Sequence, residues 1–326
     1  MLNALRNAVP LLLLLVAVAL FPLVARSHYL QQLGVLIGLY SMVTIGLSLL
    51  MGYAGQASLG QAAFFGLGAY SSAVLSTKAD LNPWLALLAG IVITCTVAAL
   101  VGRPTLRLHG HYLAMATLGF GIIVQVFFHE AKPITEGFGG IASIPRLSIG
   151  GLVFKGDMLN FYLAWAGTAA CLAIGLNVVE SRVGRAMRAI HDSEIAASAC
   201  GVDVARYKVQ VFVLGAGFAS LAGSIYAHYI TFVSPEPFGL MFSVQLLVMV
   251  VVGGARSLWG AVLGAALMTA LGQQIEKIEL IRDLSVVVYG TLLMLFVIFM
   301  PDGLAGLVRR GWGLLPWTGP RGDAHV

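Results

Sequence analysis

Ser58 lies in the run Gly55-Gln56-Ala57-Ser58-Leu59-Gly60, where a glycine-framed serine invites comparison with a hydrolase nucleophile. The register does not fit, because a G-x-S-x-G turn needs glycine two places before the serine, and here that place holds Gln56. No H-E-x-x-H occurs, and no lysine follows a glycine. Neither a zinc-hydrolase helix nor a phosphate-cradling G-K-[ST] loop is therefore present. His109 and His111 form an H-x-H pair at the edge of an apolar run, which reads as interfacial rather than as a metal site. Cys95, Cys171 and Cys200 show no metal-ligand spacing and are expected to be small fillers without a disulfide. A chain so equipped does not hydrolyse ATP by a P-loop of its own, so any active process it serves is powered by another polypeptide.

Two other regions carry polar groups in informative patterns. In the first, residues 52–70, Gly52 and Gly55 interrupt a helical run. Gly60, Gly66 and Gly68, with Ala62, Ala63 and Ala69, then allow a neighbouring helix to approach closely. Gln56, Ser58 and Gln61 are uncharged polar groups that would be costly against lipid, so they face protein or a water-filled path. A tight helix–helix seam and a pathway both account for this stretch. The second region is the loop 181–208. Arg182, Arg185 and Arg188 recur every three residues and form one basic helical face. Asp192 or Ser193 can cap a short Ala-rich helix from Glu194 through Ala196 and Ala197 to Cys200, and Gly201 stops it. Such a helix suits docking into a partner's groove. A basic loop that touches lipid headgroups is the other account.

The elements that position these groups follow from composition. Of 326 residues, 59% are hydrophobic and only 10% charged, against about a quarter charged in soluble domains. Segments near 9–25, 29–51, 58–76, 84–101, 111–129, 159–179, 209–232, 240–255, 257–275 and 284–300 hold no Asp, Glu, Lys or Arg. Most are long enough for a helix of about 20 residues to cross a bilayer. The expectation is an all-α polytopic transmembrane bundle of about ten spans, nine if the short pair flanking Arg256 tilts or is partly re-entrant. Prolines 83, 104, 133, 145, 235, 237 and 301 fall in proposed loops or at span ends. The basic start and short apolar stretch at the N-terminus resemble a signal peptide, but a second span follows at once and Val24-Ala25 is a poor cleavage context. An uncleaved first helix is expected.

Threading ten spans from an inside N-terminus puts Arg6, Arg103, Arg107, the arginines of 181–208, Lys208, Arg256, Arg309, Arg310 and Arg321 in the cytoplasm. The smaller set, Arg26, Lys78, Lys132, Arg146, Lys155, Lys277 and Arg282, falls outside, interleaved with acids. The positive-inside rule favours this orientation, with both termini cytoplasmic. The span interiors carry no ionisable group of the kind a proton-coupled carrier needs, and His111, His129 and His228 lie near span ends. A sodium-coupled carrier using carbonyls and hydroxyls stays open. A weak echo links Gly55-x-x-Ser58-Leu59 to Gly254-x-x-Ser257-Leu258. The threading puts both on the same side, whereas an inverted repeat needs opposite sides.

Four motifs in order resemble the LivM-type permease of branched-chain amino acid ABC importers. They are residues 52–70, residues 108–120 (Leu108-His109-Gly110-His111-Tyr112-Leu113), residues 181–190 (Ser181-Arg182-Val183-Gly184-Arg185) and residues 252–260 (Val252-Gly253-Gly254-Ala255-Arg256). The resemblance covers about 30 to 300. It implies an inner-membrane permease paired with a second, homologous permease, two ATPase subunits that bind ATP and Mg, and a periplasmic substrate-binding protein. The chain itself would be no enzyme and hold no cofactor. Residues 1–310 would form the permease domain and 311–326 a cytoplasmic tail. The 181–208 loop would be the ATPase-coupling loop, with Arg185, Arg188, Glu194, Ala196, Ala197 and Gly201 as its working residues. The match departs by one place: Ile195 separates Glu194 from the alanines, and Gly201 lies seven residues on, not six. This makes Ala196, Ala197 and Gly201 the firmer carry-overs. Gln61 stands where relatives often have His, and His191 where Arg is usual. Gln56, Ser58, Gln61, Thr117 and Gln125 suit a weakly polar translocation path for an apolar amino acid. The same machinery carrying urea, short amides or aromatic acids is the alternative within transport, and a sodium-coupled carrier or a membrane enzyme the alternatives beyond it.

Overall fold

The computed structural model describes residues 27–106, 110–149 and 152–275, with isolated positions at 14, 16, 18 and 21 and between 287 and 306. The expected first and tenth spans, His109 and the 311–326 tail fall largely or wholly outside these residues. The described chain is predominantly helical. Helix α1 (His28–Ser48) runs on into a π-helical turn (Leu49–Tyr53), and α2 (Gln61–Thr77) follows after a break. Next come α3 (Pro83–Thr105), α4 (His111–Glu130) and α5 (Asp157–Glu180). Two short helices, α6 (Arg182–Asp192) and α7 (Glu194–Ala199), lead to the long α8 (Val204–Ile230). A hairpin of α9 (Leu240–Gly253) and α10 (Leu258–Ile275) completes the described bundle.

Local chemistry sets these boundaries. Asn82 accepts from the Trp84 amide at 3.0 Å and caps α3, with Pro83 in the first turn where its missing N–H is harmless. Asp203 does the same for α8 through the Arg206 amide at 3.1 Å. Pro104 sits inside the last turn of α3 rather than beyond it, so that helix outlasts its apolar stretch by several residues.

Six described helices are long and apolar enough to cross a membrane: residues 28–53, 83–105, 112–130, 157–180, 204–230 and 258–275. Two of the expected spans are shorter. Helix α2 has 17 residues and α9 has 14. Helix α2 is enclosed rather than lipid-facing, because α8 crosses it so closely that a Cβ on Gly223 would overlap the Phe65 carbonyl. Helix α1 is likewise wrapped by α5, α8 and α10, whereas only 28% of the apolar window of α4, and the same share of α5, is buried.

The loops gather at two ends. At one, the described residues between 130 and 158 form a cap. There β1 (Ile141–Ala142) pairs antiparallel with β4 (Phe232–Val233), and β2 (Ser148–Ile149) pairs with β3 (Leu152–Val153). Buried His228 ties this cap down, its ring 2.6 Å from the Pro145 carbonyl and 2.8 Å from Ser72 Oγ. At the other end lie the break after α1, the α6–α7 loop and the α9–α10 turn. The two echoed glycine breaks meet here. Ser48 Oγ donates to the Ala255 carbonyl at 2.7 Å, and Gly52 packs on that carbonyl with no room for a side chain.

Candidate functional site

Helix α6 opens on Ser181, whose hydroxyl accepts from the Val183 amide at 3.1 Å. Gly184, Met187 and Ile190 face the bundle, and Arg182, Arg185 and Arg188 line the exposed side, as a three-residue spacing on a helix dictates. Two of these arginines turn back onto the end of α5. Arg188 Nη1 donates to the Val179 carbonyl at 3.0 Å and Arg185 Nη1 to the Glu180 carbonyl at 3.5 Å. Both contacts place positive charge where a helix ends in unpaired carbonyls.

Ser193, not Asp192, caps α7, accepting from the Ala196 amide at 3.3 Å. Gly201 closes it with a left-handed φ of 81°, at a place where an added side chain would meet nothing within 4 Å. The helix is thus fixed at both ends and projects from the bundle. Ile195 is 85% exposed, and Ala196, Ser198 and Ala199 share that surface, while Ala197 is buried against the bundle. Beside α7 runs a groove of about 450 Å³ lined by Leu106, Glu194, Ile195, Ser198, Val204, Ala205 and Lys208.

Glu194 does not join this outward surface. Its carboxylate turns inward, where the Lys208 ammonium donates to Oε1 at 2.5 Å and Gln56 Nε2 approaches the same oxygen at 3.4 Å. Lys208 is 1% exposed. His191 packs beside Gly55, and Arg256 Nη2 lies 3.4 Å from its ring. Residues from three separate loops therefore converge at one end of the bundle.

Four of the five expected path residues surround the break itself. Gln56, Ser58, Gln61 and Thr117 are all buried. Thr117 Oγ1 accepts from the Leu59 amide at 3.0 Å, and Ser243 Oγ accepts from the Ala62 amide at 3.2 Å. Hydroxyls from α4 and α9 thus satisfy donors that the start of α2 would otherwise leave orphaned. Both amide atoms of Gln61 are buried without a hydrogen-bond partner among the described residues. Gln125 stands apart, about 12 Å further along α4 by helix rise, with its amide packed on Gly239.

A family model described as the branched-chain amino acid transport system / permease component matches residues 29–297. The chain belongs to this permease family. It is 32% identical over 324 residues to the high-affinity branched-chain amino acid transport system permease protein LivM of Salmonella typhimurium, covering 91% of this chain and 74% of the relative. The Escherichia coli LivM protein is 32% identical over 323 residues, with the same two coverages. The E. coli LivH protein of the same named system is 28% identical over 299 residues, covering 86% of this chain and 96% of LivH. No solved structure matches. With its apolar helices, this member of the permease family is a multi-pass membrane protein.

Lys208 and Ser243 are the permease residues that sequence reasoning overlooked at this site. The threading counts Lys208 with the basic residues on the cytoplasmic side, at the end of the 181–208 loop. A signal was present: positions 208, 211, 212 and 215 lie on one helical stripe, and Val211, Phe212 and Gly215 are all buried. Ser243 carries no such signal, because a single serine in an apolar helix is unremarkable by spacing.

Proposed function

We propose that this permease is a transmembrane subunit of an ATP-driven ABC importer that translocates branched-chain amino acids by alternating access. Residues 1–310 form the permease domain, with about ten spans in the inner membrane. Both termini, the 181–208 loop and the 311–326 tail lie on the cytoplasmic side. The working partners are a second homologous permease, two ATPase subunits that hold ATP and Mg, and a periplasmic binding protein that delivers substrate. Similarity to both LivM and LivH proteins supports the paired permease. The positive-inside distribution supports the orientation.

One observation carries the reading: across a chain of this family, the projecting element at the loop end is a helix capped at both ends, exposing Ile195 and Ala196. In this mechanism the ATPase pair engages that surface. ATP binding closes the ATPases and moves α7 with them. The permeases then rock, and substrate passes between them over the weakly polar groups near Gln56, Ser58, Gln61, Thr117 and Gln125. An apolar amino acid needs no charged partner on this route, since the binding protein can supply selectivity.

The test is uptake into proteoliposomes that contain both permeases and the ATPases, with the binding protein added. Leucine uptake that needs ATP and exceeds urea uptake is expected. Urea uptake exceeding leucine would reassign the substrate, and uptake by the chain alone on a sodium gradient would overturn the mechanism.

A further inference from the structure

We infer that Glu194, Lys208 and Gln56 form a side-chain tie that carries movement of α7 to the broken segment 54–60, with Lys208 and Gln56 as positioning residues. The inference rests on the transport reading above and concerns how motion at the loop reaches the membrane interior.

Helix α7 has six residues and touches the bundle over a small area, so packing alone grips it weakly. Ala197 is its buried residue, against exposed Ile195, Ala196, Ser198, Ala199 and Cys200. Its firm attachment is electrostatic. Glu194 Oε1 receives the Lys208 ammonium at 2.5 Å, and Lys208 sits at the root of the longest described helix. The same oxygen lies 3.4 Å from Gln56 Nε2, which also donates to the Ala54 carbonyl at 3.2 Å. The backbone N–H of Gln56 in turn donates to the Leu50 carbonyl at 2.9 Å, within the π-helical turn. From there the chain leads through Leu59, held by Thr117, to the start of α2. A pull on α7 thus has a short polar route to a segment outside regular helix, next to a π turn of the kind often found at functional positions.

Stability alone explains this arrangement poorly. A buried ion pair roughly breaks even against apolar side chains of similar volume, because desolvation offsets the attraction. To this pair, buried on the Lys208 side and a quarter exposed at Glu194, the tie assigns the role of fixing one geometry between separate elements. The amide at position 56 adds a further property. Its Oε1 is buried without a partner among the described residues, so an amide turned around could accept from a cation as readily as the present one donates to a carboxylate.

The inference is tested on the full-length chain as purified from its membrane with the subunits that accompany it. Hydrogen exchange is followed across 54–60 and 194–201. Lys208→Met should speed exchange in both segments by about tenfold, the response to losing one charge-assisted contact. Gln56→Leu, which leaves the ion pair intact, should likewise loosen 194–201. The charge exchange Glu194→Lys with Lys208→Glu should restore both segments, because Gln56 can reverse its amide. In proteoliposomes, Lys208→Met, a change outside the proposed path, should keep ATP hydrolysis while lowering uptake per ATP severalfold. Loosening confined to 194–201 in Lys208→Met, or unchanged uptake per ATP in that variant, would overturn the tie. Wild-type liposomes without ATP-dependent uptake would sink the transport reading instead, and the exchange measurement would still judge the tie.

Discussion

Gln61 presents the sharpest conflict at the scale of single residues. It is fully buried at the start of α2, and neither amide atom has a hydrogen-bond partner among the described residues. An unsatisfied buried polar group costs about 1–3 kcal/mol, so Gln61→Leu should raise the unfolding free energy in detergent by about 1 kcal/mol. If the amide meets passing substrate, the same change should lower uptake by about tenfold, the equivalent of one lost hydrogen bond near 1.4 kcal/mol. Higher stability with unchanged uptake would remove Gln61 from the path. Lys208 teaches a related lesson about what sequence shows. Its charge assigned it to the cytoplasmic loop, yet it shares a stripe with Val211, Phe212 and Gly215 and is buried. Glu194 was legible as an odd fit to the family pattern, but its inward turn was not, because its partners lie 14 and 138 residues away in the chain.

At the scale of elements, the caps and breaks were readable because they depend on local chemistry. Ser193, Gly201 and the basic spacing of α6 each act within a few residues, and the structure places them as the sequence implied. The depth of α2 was not readable. Its 17 residues are enclosed because α8 reaches it through Gly68 and Gly223, and which small residues meet which helix is a long-range fact. Gly223→Val should therefore force α8 off the Phe65 carbonyl and destabilise the bundle by about 3 kcal/mol or more, beyond ordinary overpacking because the obstacle is backbone. Gly119→Ala on α4 is the matched control. Nothing lies within 4 Å of a side chain added there. It should leave stability unchanged or raise it by up to about 1 kcal/mol from helix propensity alone. Thermal unfolding in detergent compares the two, and equal melting of both variants would contradict the close crossing.

On the scale of the whole molecule, the deficit of charge that marks a membrane protein goes with a bundle whose two ends differ. The bundle gathers its cap at one end and its broken helices, basic helix and projecting α7 at the other. That asymmetry is what an importer subunit needs if substrate arrives at one face and energy at the opposite one. The span count is the part of the fold least visible in sequence, because α2 and α9 are too short to be judged by length and hydropathy alone. The central claim is that energy enters through the exposed face of α7. Ala196 lies on that face, so Ala196→Arg adds bulk and charge without disturbing the core, unlike any change at buried Ala197. The direct measurement is ATP-dependent leucine uptake by complexes containing Ala196→Arg, normalised to the amount of permease inserted. Normal insertion with uptake reduced to the level without ATP is the predicted result, and wild-type uptake by the variant would contradict the account.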